Sequence, residues 1–112
     1  MTTFRVDVAA FGDRIVISVC GELDLDTRPQ VTTAISALDL TGKTLVMDLT
    51  NMTFIDSTGL TTLIALHRRA HAEGWDLELH GAGVQALNVL DLTGTRELFA
   101  LTGTPDDCRT TI

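Results

Sequence analysis

The sequence predicts an α/β domain with a mixed, mostly parallel β-sheet of about four to five strands, packed with about three to four helices. Two observations support this prediction. From residue 44 onward, short apolar segments alternate with segments of helical period, and this alternation requires crossover connections between parallel strands. Before residue 44, two strand-like segments are separated by the turn residues Gly12 and Asp13, which indicates an antiparallel hairpin.

The first part of the chain predicts this hairpin and one helix. The two strands are expected over residues 4–10 and 15–20. The segment 27–30 reads Thr-Arg-Pro-Gln, which has the form of a capping box with proline in the first turn, where its missing N–H costs nothing. The helix that follows has one apolar stripe at helical spacing, made by Val31, Ala34, Ile35 and Leu38.

The middle of the chain predicts a buried strand and a long helix. The segment 44–49 is expected to be a central strand, and the segment 50–55 the loop after it. A second helix is predicted from Ser57 to Glu73, and Gly74 is expected to end it. One face of this helix carries Leu60, Leu63, Ile64, His67 and Ala70.

The last predicted elements are a strand over 75–80, a helix over 84–92 and a short strand over 97–101. Polar residues fill the segment 102–112. A length of 112 residues fits one domain. A single domain is therefore expected over residues 1–112, with its core between about residues 4 and 101.

Composition argues against several classes of function. The formal net charge is −7, and an acidic surface repels nucleic acid backbones and anionic membrane surfaces. We therefore expect neither nucleic acid nor membrane as a partner. Two cysteines, Cys20 and Cys108, are too few for a disulfide framework and indicate free thiols in a reducing compartment. With no signal-peptide pattern and no apolar stretch of membrane-spanning length, a cytoplasmic location is expected.

Three motifs that would indicate a cofactor or a metal are incomplete. The segment 42–44 resembles the end of a phosphate-binding loop, but Ala37 stands where that loop needs glycine. The glycine-rich segment 81–86 leaves too little chain for a dinucleotide-binding unit, and a tight strand-to-helix turn is the simpler interpretation. His67 and His71 have metal-ligand spacing but no evident third ligand, so His67 is predicted to pack at the core boundary. The residues left open as a third ligand are His80, Cys20 and Cys108.

Ser57 stands at the start of the second helix. A nucleophile elbow needs glycine where this chain has Ile55, and no acid–base pair is evident, so no enzyme is predicted. The common interpretation of a serine here is an N-cap. If Asp56 is the N-cap instead, Ile55 and Leu60 can form a hydrophobic staple. We predict this second arrangement, which leaves Ser57 exposed and modifiable as the first helical residue.

Several segments resemble motifs of the bacterial anti-sigma factor antagonists, which are STAS domains. Residues 19–24 (Val-Cys-Gly-Glu-Leu-Asp) resemble the signature that closes the second strand of that family. Residues 45–49 and 54–60 resemble its strand, loop and phosphorylated-serine motif, and residues 87–94 resemble its third helix and the end of that helix. The resemblance covers nearly the whole chain and implies the STAS fold.

The resemblance also implies a regulator that is not an enzyme and needs no cofactor. In this family the unphosphorylated protein binds an anti-sigma factor serine kinase and thereby releases a sigma factor, which it affects only indirectly. The kinase phosphorylates the serine, here Ser57, and a PP2C-type phosphatase removes the phosphate. Carried over by position, the partner-binding residues are Glu22, Asp24, Asp56, Thr58 and Gly59. The alternative is a STAS scaffold or subunit of a signalling or transport complex, which binds partners without phosphorylation.

Overall fold

A computed structural model describes residues 4–103 of the chain and confirms the predicted mixed α/β class. The strands of this part are β1 (Arg5–Phe11), β2 (Arg14–Leu23), β3 (Thr44–Asp48), β4 (Met52–Ile55), β5 (Asp76–His80) and β6 (Ala100–Thr102). Its α-helices are α1 (Arg28–Ser36), α2 (Ser57–Glu73) and α3 (Val84–Thr93), and a 3₁₀ turn covers Arg96–Leu98.

The sheet is mixed and mostly parallel, as predicted. Its strands lie in the order β1-β2-β3-β5-β6, and β4 pairs with β2 off this path. Strand β1 runs antiparallel to β2, whereas the other pairings are parallel. The expected hairpin is therefore confirmed, and β3 lies in the middle of the main sheet with its Leu45, Val46 and Met47 buried.

One face of the sheet forms the core with the helices. The parallel register places Ile17, Met47, Leu79 and Leu101 side by side across four strands. The first three of these side chains are fully buried, and they share one apolar cluster with Val31 of α1, Leu63 of α2 and Leu87 of α3. Apolar burial of this kind is the main stabilising contribution to such a fold.

Strand β4 corrects one prediction. The segment 50–55 was expected to be a loop, but Met52–Ile55 pairs with the end of β2. The strand was missed because it is short and its burial does not alternate along the chain, so it lacks the period of two on which strand prediction depends. Its pairing depends on the length of β2, which extends beyond β3 and pairs with β4 from Gly21 to Leu23, with a register shift between Gly21 and Glu22.

The predicted capping box at the start of α1 is wrong. Thr27 has helical backbone angles and no capping hydrogen bond from its side chain. Its hydroxyl donates instead to the carbonyl of Glu22, at 2.7 Å. The Asp24 carboxylate accepts hydrogen bonds from the backbone N–H groups of Asp26 and Thr27, at 3.0 and 3.1 Å. The side chains of the turn therefore hold the turn itself, because short polar side chains compete for nearby backbone partners. The first helical N–H groups, those of Arg28 and Gln30, donate instead to the backbone carbonyls of Asp24 and Thr27.

Smaller corrections concern element ends. Helix α1 stops at Ser36, although Leu38 beyond it still packs against the core. The last strand was expected over 97–101, but the structure has the 3₁₀ turn and then β6, which pairs three residues with β5. Residues 104–112 of the predicted polar tail, including Cys108, lie outside the described residues.

Candidate functional site

Two chain segments converge at the ends of β2 and β4. These strands are parallel, with Glu22 opposite Phe54 and Leu23 opposite Ile55. Both segments therefore leave the sheet at the same edge. The Asp56 N–H donates to the carbonyl of Leu23, at 3.4 Å. The structure thus brings the predicted residues Glu22 and Asp24 next to the start of α2, and the unpredicted strand β4 is the element that does so.

Asp56 is the N-cap of α2, which confirms the predicted cap. Its backbone is extended, and its carboxylate accepts a hydrogen bond from the Gly59 N–H at 2.9 Å. The Asp56 carbonyl accepts the first helical hydrogen bond, from the Leu60 N–H. Ile55 and Leu60, the predicted staple pair, are both buried in the core cluster. An aspartate at this position satisfies one orphan N–H and places negative charge where the helix dipole favours it.

Ser57 is the first residue of α2 and its side chain is exposed. Its carbonyl accepts a hydrogen bond from the Thr61 hydroxyl, at 2.8 Å. Within residues 4–103 no hydrogen bond engages the Ser57 hydroxyl, because the neighbouring Asp56 has taken the capping role. The hydroxyl is therefore presented to solvent by a fixed backbone.

Gly59 serves a purpose that the sequence did not indicate. The residue was predicted to be part of the partner-binding set, but it is buried and faces the protein's own core. A Cβ atom at this position would lie 2.6 Å from Ile55 Cγ1 and 2.6 Å from the Leu23 carbonyl oxygen. Glycine is needed because the first turn of α2 lies directly against β2 and β4.

The other predicted partner-binding residues differ in their freedom to contact a partner. Asp24 is half-buried, and its carboxylate is engaged in the turn before α1. Glu22 is half-buried beside Phe54. Thr58 is also half-buried, and its carbonyl accepts a hydrogen bond from the Thr62 hydroxyl.

Sequence reasoning missed two exposed apolar side chains at the ends of β2 and β4. Phe54 is 42% exposed on β4, and Leu25 is 62% exposed in the turn after β2. We call the group formed by Glu22, Leu25, Phe54, Ser57 and Thr58 the Ser57 surface. A strand assignment for 52–55 would have placed Phe54 opposite Glu22 on an exposed strand position.

Sequence reasoning also missed Gln85, in the first turn of α3. Its side-chain amide donates to the Ile55 carbonyl at 2.8 Å, and its side-chain oxygen accepts from the Ile55 N–H at 3.0 Å. No signal in the sequence indicated this contact, because it joins residues 30 positions apart through a side chain.

The two helix histidines do not form a metal centre in the described part of the chain. The His67 ring packs edge-on against Phe99, with 5.8 Å between ring centres, which confirms its predicted packing role. Among residues 4–103 no group of three or more histidine, cysteine or acidic side chains is placed to hold a metal ion. Across the same residues, no helix has the length and apolar character needed to cross a membrane.

The glycine-rich segment 81–86 forms the predicted tight turn. Gly81 has a positive φ of 74°, and Gly83 is the N-cap of α3. The segment therefore reverses the chain between β5 and α3, and the glycine at 81 is required by its left-handed backbone.

Comparison with known proteins points to one family. A family model described as "Mlab, STAS domain" matches residues 6–103. The chain is 29% identical over 90 residues to the anti-sigma-B factor antagonist of Listeria monocytogenes, covering 80% of this chain and 79% of the relative. It is 24% identical over 95 residues to the anti-sigma-B factor antagonist of Bacillus subtilis, covering 85% and 87%.

A solved structure agrees with these relatives. The crystal structure of an anti-sigma factor antagonist from Mycobacterium paratuberculosis superposes with a TM-score of 0.80 and 30% sequence identity. The match covers 98% of this chain and 94% of the other. The likeness therefore extends over the full fold, including the segment that carries Ser57.

Proposed function

Because this chain belongs to the STAS domain family, we propose that it is an anti-sigma factor antagonist switched by phosphorylation of Ser57. The observation that carries the proposal is the exposed Ser57 hydroxyl at the first position of α2, left free by the Asp56 cap. The relatives named as anti-sigma factor antagonists support the general role. This role belongs in the cytoplasm, where sigma factors and ATP are found.

In the unphosphorylated state, the Ser57 surface binds an anti-sigma factor serine kinase. Phe54 and Leu25 supply exposed apolar area, and Glu22 supplies an acidic group beside it. Apolar contacts surrounded by polar groups are typical of protein–protein interfaces. The kinase, once bound, releases its sigma factor, so this protein acts on the sigma factor only indirectly.

Phosphorylation uses the kinase's ATP. The Ser57 oxygen forms a bond to the γ-phosphorus, the bond from that phosphorus to the β-phosphate bridging oxygen breaks, and the hydroxyl proton leaves to a base of the kinase. A PP2C-type phosphatase restores the hydroxyl by hydrolysis. This chain contributes a presented hydroxyl, and the catalytic groups belong to the two enzymes.

The added phosphate changes the charge of the Ser57 surface without requiring a new fold. It brings about −1.5 to −2 charge and three acceptor oxygens. The start of α2 accommodates an anion, since helix N-termini favour negative charge. A partner that fits a neutral hydroxyl now meets this charge beside Asp56 and Glu22. Every ~1.4 kcal/mol of added repulsion and desolvation weakens binding tenfold.

The test combines phosphorylation with binding. The protein is incubated with Mg-ATP and the anti-sigma factor kinases encoded in the same genome, and the modified residue is located by mass spectrometry. Binding to the responsive kinase is then measured for wild type, Ser57→Ala and Ser57→Asp. We expect Ser57→Ala to bind without being modified, and Ser57→Asp to bind at least tenfold more weakly.

Ser36 offers a matched control, because it is an exposed serine on another helix, α1. Ser36→Asp adds the same charge and should bind as wild type. The proposal fails if no kinase modifies Ser57 and Ser57→Asp binds within about twofold of wild type, which is a difference of about 0.4 kcal/mol.

A second candidate function is a STAS subunit that binds its partners constitutively. The matching family model supports this candidate as well, because its description, "Mlab, STAS domain", names no anti-sigma factor antagonist. It predicts a complex that persists in Ser57→Asp and forms without ATP. The same binding series therefore separates the two functions.

A further inference from the structure

Strand β4 has one open edge, on the side away from β2. The backbone N–H and C=O of Ile55 point toward this edge. Among residues 4–103, β4 pairs with β2 alone. The Leu23 carbonyl bonds to the N–H of Asp56, the residue after Ile55. In a parallel ladder the N–H and C=O of Ile55 then point to the opposite side. Ile55 is only 2% exposed, so both groups need a partner inside the protein.

Gln85 supplies both partners. Its side-chain oxygen accepts from the Ile55 N–H at 3.0 Å, and its side-chain amide donates to the Ile55 carbonyl at 2.8 Å. The carboxamide thus acts at Ile55 as a neighbouring strand would. Glutamine is suited to this task because its carboxamide carries one acceptor and one donor in a single plane.

The position of Ile55 sets the start of α2. Ile55 immediately precedes the Asp56 cap. Its side chain packs so close to Gly59 that a Cβ atom at position 59 would lie 2.6 Å from Ile55 Cγ1. Leu23 holds this segment from one side, and Gln85 holds it from the other. Ser57 is two residues beyond Ile55, so movement of Ile55 would move the cap and the serine together.

We propose that Gln85 is a positioning residue for Ser57, and that α3 thereby forms part of the regulatory site. This inference rests on the proposed function of Ser57. The side-chain hydrogen bonds of Gln85 go to Ile55 and not to the serine. It fixes Ile55, and through Ile55 it fixes the cap and the direction in which the Ser57 hydroxyl is presented. Loss of the carboxamide leaves the core in place but loosens the start of α2.

The first experiment needs no kinase. In Gln85→Met, which keeps the length of the side chain but loses both hydrogen bonds, hydrogen exchange is measured at the amides of Ile55 and Gly59. We expect both amides to exchange at least tenfold faster than in wild type, while the amides of β3 keep their wild-type rates. Gln30→Met, on the exposed surface of α1, is the matched control and should change none of these rates.

A second reporter is a thiol at the serine position. In Ser57→Cys, the rate of iodoacetamide alkylation is followed against pH on the peptide that carries residue 57. A thiol at an ordered helix N-terminus titrates below its ordinary range. We expect this profile to move toward higher pH when Gln85→Met is added, and to stay unchanged when Gln30→Met is added.

The functional experiment compares phosphorylation of Ser57 by the kinase that modifies the wild type. We expect kcat/KM for Gln85→Met to fall at least tenfold, with Gln30→Met unchanged. Unaltered exchange at Ile55 and Gly59, or equal acceleration in β3, would overturn the proposal. So would wild-type phosphorylation kinetics in Gln85→Met. If no kinase modifies the wild type, the proposed function fails, and exchange and alkylation still decide whether Gln85 positions residue 57.

Discussion

Gly59 is a residue at which packing requires glycine although helix propensity disfavours it. In an isolated helix, glycine costs about 1 kcal/mol relative to alanine. In this protein the glycine lets the first turn of α2 approach β2 and β4, where a Cβ atom would collide with Ile55 and the Leu23 carbonyl. For Gly59→Ala, helix propensity therefore predicts an increase in the free energy of unfolding, whereas packing predicts a decrease.

We expect Gly59→Ala to lower the free energy of unfolding by about 1–3 kcal/mol, because overpacking of a tight contact costs that much. Urea denaturation provides the measurement. Gly83→Ala is the control for packing, since a Cβ atom there meets nothing within 4 Å and φ is ordinary at −79°. It should lose only the preference of an N-cap for glycine over alanine. A stabilising effect of Gly59→Ala would show that the close approach to Leu23 does not constrain α2.

At the same scale, the sequence was sufficient for some residues of the site and insufficient for others. The Asp56 cap followed from Asp-Ser-Thr-Gly and the apolar pair around it, because capping depends on neighbours along the chain. The Thr27 cap was predicted by the same local rule and is wrong, because the Thr27 hydroxyl donates to the Glu22 carbonyl instead. No local rule could predict the role of Gln85, because its partner Ile55 is 30 positions away in the sequence.

At the scale of elements, strongly periodic segments were predictable and weakly patterned ones were not. Helix α2 has a continuous apolar face and a glycine with left-handed φ at its end, and its predicted bounds match the structure. Strand β4 has no such pattern and exists because β2 is long enough to pair with it. The site therefore rests on one element that the sequence indicated and one that tertiary pairing determines.

The exposure of Phe54 on β4 leads to a prediction about binding. Because this side chain is 42% exposed, Phe54→Ser should lower the free energy of unfolding by about 1 kcal/mol, roughly half of what full burial of such a side chain contributes. An aromatic side chain at the centre of an interface often contributes about 2 kcal/mol or more, so binding to the responsive kinase should weaken more than tenfold.

Calorimetric titration of the kinase with Phe54→Ser measures this effect. Phe11→Ser is the control, because Phe11 is 64% exposed at the end of β1, away from the Ser57 surface. Equal binding by wild type and Phe54→Ser would remove Phe54 from the proposed interface.

The end of α2 carries a pH-dependent contact. The Trp75 indole N–H donates to the Glu73 carboxylate at 3.1 Å, and Arg69 pairs with the same carboxylate at 3.0 Å. The hydrogen bond from Trp75 and then that from Arg69 hold the pKa of Glu73 below its ordinary value. A lowered pKa in the folded state means that this contact stabilises the fold above the ordinary carboxyl pKa and is lost as pH falls through the lowered value.

Trp75 is the single tryptophan of the chain, so its fluorescence reports on this contact directly. We expect an acid transition in emission with a midpoint below 4.5, the ordinary glutamate value. Glu73→Gln keeps an acceptor oxygen but cannot titrate, so its emission should stay flat over the same range. An identical transition in Glu73→Gln would assign the signal to another group.

At the scale of the whole molecule, the proposed switch acts on a fold that stays fixed. The core joins the helices to one face of the sheet, and the Ser57 surface lies at the sheet edge where β2 and β4 end. Because Ser57 is exposed at the first position of α2, a charge added there displaces no buried group.

We expect Ser57→Asp to fold as the wild type does and to gain about 0.3–1 kcal/mol in free energy of unfolding at low salt, since an anion near a helix N-terminus is favourable. Urea denaturation at low and high salt measures the gain, which should shrink as salt screens the charge. Ser36→Asp, near the end of α1, should show no gain. A loss of stability in Ser57→Asp alone would indicate that the start of α2 cannot accept the charge.

The register shift in β2 has a mechanical consequence. Strand β2 pairs with β3 over five residues, from Arg14 to Ser18, and with β4 only over the short stretch from Gly21 to Leu23, which the shift interrupts. A partner that pulls on the start of α2 therefore loads the short β4 ladder first, together with the side chain that holds its open edge. The five-residue pairing of β2 with β3 lies beyond this ladder, on the part of β2 that is further from the start of α2.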